Sequence, residues 1–216
     1  MYNGKNMQKV VFDVDDTLWS LNKRVSKMTG VDYDKLTTFS IYDNVKLTEE
    51  EKKLILSAYS NADIFKNMEW DEGVETINDI VADVYINSNN LTEDIATLKR
   101  EQIHDVINIA DDHIIMNVIG SDKSSITKKV IDKNVYILVD DSLHNVEMSN
   151  AKHNIVVKRP WNQHSEIPED KNVIIADDLK HAIRIIESII SKSKCPDNGN
   201  VDYASGLCKW NMPRRI

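Results

Sequence analysis

Residues 10–19 read VVFDVDDTLW, an apolar run that ends in three carboxylates, Asp13, Asp15 and Asp16. Val10, Val11 and Phe12 form a short run with no polar residue between them, the pattern of a strand covered on both faces. Three acids where such a strand stops repel one another, by about 1 kcal/mol per pair in water and about 4 kcal/mol at a protein-like dielectric. Something cationic must offset them. On an extended strand end, residues two apart face the same way, so Asp13 and Asp15 converge while Val14 packs inward. Hard oxygen ligands of this kind, with a phosphate nearby, favour Mg²⁺.

Working outward, similar runs recur at DVYINS (83–88), HIIMNVIG (113–120), NVYILVDD (134–141), NIVVKR (154–159) and NVIIADD (172–178), with segments of helical period between them. Near-continuous apolar strands alternating with helices predict an α/β fold, a doubly wound, Rossmann-like parallel sheet with helices on both faces. Several runs end in Asp, Ser or Asn, which gathers polar groups at the carboxyl edge of the sheet, where open α/β sheets bind ligands.

Strand one is followed by helical patterning from Trp19 to Trp70 and no convincing β run. Ordinary βα connections take a few residues. We therefore expect a small helical cap at 19–70, with a capping box of Thr48 and Glu51 opening its amphipathic helix. The α/β core is expected at 1–18 plus 71–191, resuming with a helix from about Glu72. Residues 192–216 lose periodicity and collect Pro, Gly, Asn and Ser, which reads as an irregular or partly ordered tail. Docking of Trp210 and the closing Pro-Arg-Arg on the body or on another subunit leaves a homodimer open.

The formal net charge is −8 over 216 residues, with Lys and Arg scattered, so no polynucleotide partner is expected. No apolar stretch approaches the roughly 18–20 residues that span a bilayer, so no membrane partner is expected either. Two cysteines, Cys195 and Cys208, fit a reducing, cytoplasmic setting.

Further candidates lie at later strand ends. Asp140-Asp141 offers a second carboxylate source, and Ser88-Asn89 offers hydroxyl and amide donors suited to an oxyanion. In GSDKSSITKKV, Lys123 falls near a helix start, where the macrodipole disfavours a cation unless an anion is close. Lys128 and Lys129 are alternatives. His164 could line a site mouth or lie on the surface.

The order FDVDDT, INSN, SDKS, LVDDS resembles the haloacid dehalogenase superfamily of phosphohydrolases over about residues 9–190. The resemblance implies Asp13 as nucleophile and Asp15 as general acid, then base. It implies Mg²⁺ held by Asp13, the Asp15 carbonyl and the Asp140-Asp141 pair, with Asp140 preferred as direct ligand and Asp141 as its support. Ser88, Asn89 and Lys123 would hold the phosphoryl oxygens, and Thr17 would fix the loop after the strand. WDEGVETINDIVADVYINSNN, LVDD, ADDLKHAI and KRPWNQH narrow the resemblance to 5′(3′)-deoxyribonucleotidases, although Asp16-Thr17-Leu18-Trp19 stands where those enzymes carry Gly and a β-branched residue. The implied activity is hydrolysis of a small-molecule phosphate ester, a (deoxy)ribonucleoside monophosphate. Trp19, Phe39, Tyr42, Tyr59 and Phe65 are candidates to stack on its base. A sugar phosphate, or a non-catalytic binding protein on this fold, are the alternatives.

Overall fold

The computed structural model describes residues 7–118, 135–163 and 165–193, with the backbone alone of 194, 200–202 and 207–209. Six parallel strands form one sheet: β1 (Lys9–Phe12), β2 (Asp83–Asn90), β3 (Ile114–Val118), β4 (Val135–Asp140), β5 (His153–Val157) and β6 (Val173–Ala176), in the spatial order β3-β2-β1-β4-β5-β6. The chain leaves β1 toward β2 on one side and enters β4 on the other, so strand order reverses at β1. That reversal opens a crevice at the carboxyl edge.

The apolar run of β1 follows from this central position. Val10 and Phe12 join the larger core with Ile86, Ile137 and Ile155, while Val11 faces the opposite layer with Tyr85, Leu138 and Val156. Both faces are covered, by α3 (Glu93–Val106), α4 (Leu143–Met148) and α5 (Leu179–Lys194). Each fully buried side chain here contributes roughly 1.5–3 kcal/mol.

Between β1 and β2 lies the helical cap, with α1 (Leu21–Thr29) and α2 (Glu49–Tyr59) packed together. The capping box forms as expected, Thr48 accepting from the Glu51 amide and Glu51 from the Thr48 amide. Trp19 pairs antiparallel with Trp70, so the chain leaves and re-enters the sheet at one place.

Two local expectations change. The helix foreseen from Glu72 is instead a 3₁₀ segment, Val74–Asp79, entered through Gly73 at φ 94°. Ser88 and Asn89 do not end β2 but lie within it, pairing with Met116 and Asn117 of β3. Amides can stay there because Asn117 Nδ2 donates to Asn87 Oδ1 at 2.8 Å across the strands. Toward the tail, α5 runs through Lys194, and β7 (Asn200–Asp202) pairs antiparallel with β8 (Leu207–Lys209). Among the described residues, no helix is long and apolar enough to cross a membrane.

Candidate active site

Register builds the site. The Asp13 amide donates to the Val139 carbonyl at 2.9 Å, which brings the ends of β1 and β4 side by side. Asp13, Asp140 and Asp141 then offer one carboxylate oxygen each within 4.8 Å of one another, all three residues buried. Oxygens on opposite sides of one Mg²⁺ lie about 4.2 Å apart, so small side-chain adjustments would let a single ion meet all three. Electrostatics supports the fit. Burial first, then Asp140, Asp13 and Asp16, raises the Asp141 carboxyl well above its usual range, although a hydrogen bond from Trp161 lowers it. A divalent cation is the group that would relieve this cluster.

The two members of the late pair are held differently. Asp140 accepts from the Ser142 amide at 2.9 Å and from Asn145 Nδ2 on both oxygens at 3.0 Å. Asp141 accepts from Trp161 Nε1 at 2.8 Å and borders the large cavity. Both belong to the same cluster, and it is Asp141 that opens onto the cavity.

The Asp15 carboxylate turns elsewhere. It accepts from Trp19 Nε1 at 3.0 Å and pairs with Lys99 at 2.5 Å. Asp15 still lines the same cavity as Asp13, so the two acids share a space while their carboxylates have different partners. Asp16 sits at φ 58° with its side chain turned inward, accepting from the Asn22 amide at 3.0 Å and from Asn22 Nδ2 at 2.7 Å. Burial pushes its carboxyl up to about 8, against the lowering effect of Asn22 and Arg159.

Above the acids lies a cavity of about 710 Å³ between the sheet edge and the cap. Phe39, Tyr42, Tyr59 and Phe65 line it, as does Asn89. Trp19 does not: it is fully buried, tilted against Phe65 with ring centroids 6.1 Å apart, and its role is to anchor Asp15. Thr17 is fully buried, and its hydroxyl has no hydrogen-bond partner among the described residues, so the fixing of the loop falls to backbone bonds onto Val14. Ser88 is also fully buried and stands off the cavity wall, 3.3 Å from Lys99. Lys123, Lys128, Lys129 and His164 lie outside the described residues.

Two cations escaped the sequence reading. Lys99 lies on the buried stripe of α3 between Ile95 and Ile103, and a lysine at that spacing inside an apolar face was the available signal. Arg159, in the KRPW stretch, donates from Nε to the Asp16 carbonyl at 2.6 Å and from Nη2 to Asp71 at 2.5 Å. Asp71 also accepts from Ser20 Oγ at 2.7 Å, so Arg159 ties the β1 loop to both ends of the cap. Arg159→Met leaves Asp71 without its cation and is expected to destabilise the fold by about 3 kcal/mol. A urea midpoint that falls while the m-value stays constant would show it.

No family model and no curated protein matches the chain. Solved structures do match. A haloacid dehalogenase-like family hydrolase from Xanthomonas campestris aligns with a TM-score of 0.52 at 13% identity, over 88% of this chain and 100% of that one. This chain has the haloacid dehalogenase-like fold. A candidate phosphatase from Clostridium difficile aligns with a TM-score of 0.55 at 16% identity, over 84% of this chain and 99% of that one. A candidate beta-phosphoglucomutase from Bacteroides vulgatus reaches a TM-score of 0.56 at 15% identity, over 90% and 93% of the two chains. In this haloacid dehalogenase-like setting the acids of β1 and β4 stand at the carboxyl edge, where the strand order reverses.

Proposed function

We propose that the chain is a Mg²⁺-dependent phosphomonoesterase that acts through an aspartyl-phosphate on Asp13, with (deoxy)ribonucleoside monophosphates as its substrates. One observation carries this reading: Asp13, Asp140 and Asp141 form a buried carboxylate cluster at the edge of the cavity, with Asp15 beside them.

The placement of Asp13 and Asp15 on one cavity supports the following chemistry. A carboxylate oxygen of Asp13 attacks phosphorus, the bond from phosphorus to the ester oxygen breaks, and Asp15, which enters this step carrying a proton taken from solvent, gives that oxygen its proton. Asp15 then takes a proton from a water that attacks the Asp13 phosphoryl group, which frees phosphate and restores Asp13. Bound Mg²⁺ would neutralise charge between the dianionic ester and the acids. Asn89, on the cavity wall, can donate to a phosphoryl oxygen.

Substrate class rests on the cap. A cavity of about 710 Å³ is of the size that holds a small organic ligand. Phe39 is 65% exposed and Tyr42 72% exposed, yet both line it, so flat rings stand ready to stack on a base. Phosphate release measured across deoxy- and ribonucleoside monophosphates and hexose phosphates tests this. The expected result is a kcat/KM about 10-fold higher for nucleotides, the upper end of what one good ring contact is worth. Equal or better turnover of the sugars would transfer the assignment to them.

A further inference from the structure

We propose that Lys99, which pairs with Asp15, contacts the substrate phosphoryl group. The inference rests on the phosphomonoesterase reading for its reaction, but on its own geometry for the contact. Lys99 is 1% exposed in the middle of α3, flanked on its buried face by Ile95 and Ile103. An ammonium there is strongly disfavoured unless it is paired. Its pairing is partial for a group with three donors: Asp15 at 2.5 Å and Ser88 Oγ at 3.3 Å, with the Phe65 ring face 4.9 Å away.

Position gives it a purpose. Lys99 lines the cavity that Asp13, Asp15 and Asp141 share, and it is the one Lys or Arg among the described residues that does so. Ser88, the hydroxyl at the expected phosphate position, is fully buried and absent from the cavity wall. Lys99 stands where that hydroxyl was expected to act. A dianion entering beside four carboxylates needs a local cation, and this ammonium is already seated next to the acid that must reach the leaving oxygen. When a phosphoryl oxygen takes a Lys99 proton donor, Asp15 is released to turn toward the ester oxygen. The proton that Asp15 then delivers is taken up from solvent once its pairing with Lys99 is broken, while Lys99 keeps its own charge.

The test uses inorganic phosphate with Mg²⁺ on the full chain. In the wild-type protein, reductive methylation of Lys99, followed by peptide mass spectrometry, should slow at least about 5-fold when phosphate is added. Lys99→Met keeps the volume of the side chain and removes its charge. Its calorimetric affinity for phosphate should fall about 10- to 100-fold, the effect of losing one charge-assisted hydrogen bond. A lower melting temperature with unchanged phosphate affinity would make Lys99 a structural strut and overturn the inference. So would methylation that ignores phosphate, which needs no variant to fold. If the wild-type protein binds phosphate through Lys99 but hydrolyses no ester, the proposed reaction fails and this contact stands. If it hydrolyses esters with Lys99 indifferent to phosphate, the contact alone fails.

Discussion

Asp13→Asn is expected to lower phosphate release from p-nitrophenyl phosphate by about 10³-fold or more while the chain stays folded. The amide is nearly the same shape as the carboxylate but cannot attack phosphorus. It also removes one negative charge from a buried cluster with Asp140 and Asp141, so metal-free stability should hold or rise. Far-ultraviolet circular dichroism and a melting curve, run beside the assay, separate lost chemistry from lost structure. Wild-type turnover in the folded variant would remove Asp13 from the nucleophile's role.

The second large effect is on stability and depends on pH. Burial raises the Asp16 carboxyl to about 8 and raises Asp141 as well. A folded-state value above the unfolded one means the native state holds protons that the unfolded chain has already released. Without metal, the contribution of these two groups to stability is therefore fullest at acid pH, below the unfolded value, and is lost as pH rises through the folded values. Mg²⁺ competes with the proton on Asp141, so its stabilising effect should grow from pH 6 to pH 8. At an ion concentration 100 times its dissociation constant the gain is about 2.7 kcal/mol, or about 5–10 °C in melting temperature for a chain of this size. Asp141→Asn should remove most of that gain and, in the absence of metal, melt higher than wild type at pH 8. A Mg²⁺ shift that is the same at both pH values, or that survives in Asp141→Asn, would count against the carboxylate cluster as the metal site.

How much of this was legible in the sequence depends on the distance over which each feature is encoded. The run VVF followed by alternate acids carries its own structure, because a strand buried on both faces has to be continuously apolar and its end has to project Asp13 in a fixed direction. Capping at Thr48 and Glu51 is equally local. The parallel sheet and the cap followed from spacing alone. What stayed hidden depends on contacts between distant segments. Arg159 reaches Asp16 and Asp71 across most of the chain, and nothing near KRPW in the sequence names those partners. Lys99 reads as one more charge on an amphipathic helix until α3 is seen to turn that face inward. Trp19 shows the opposite error, an aromatic beside the acids that looked like a ligand contact and proves to be core packing with its indole N–H on Asp15. The misplacement of the Ser88-Asn89 strand end has a similar origin, since amides that usually mark turns are paired here by Asn117 on the neighbouring strand.

Together these contacts divide the labour at the sheet edge. Arg159 and Asn22 fix the loop that carries Asp16, Trp161 and Asn145 orient the late acids, and the cap sets the size and shape of the space above them. The acids themselves are left with strong mutual repulsion, which is the energetic opening for a cation.

Calorimetric titration of chelator-treated protein with Mg²⁺ addresses that opening directly. One ion per chain should bind, with protons released on binding, and Asp13→Ala and Asp141→Ala should each abolish the heat while remaining folded. No binding by the wild-type chain, or binding that both variants retain, would contradict a metal held between β1 and β4.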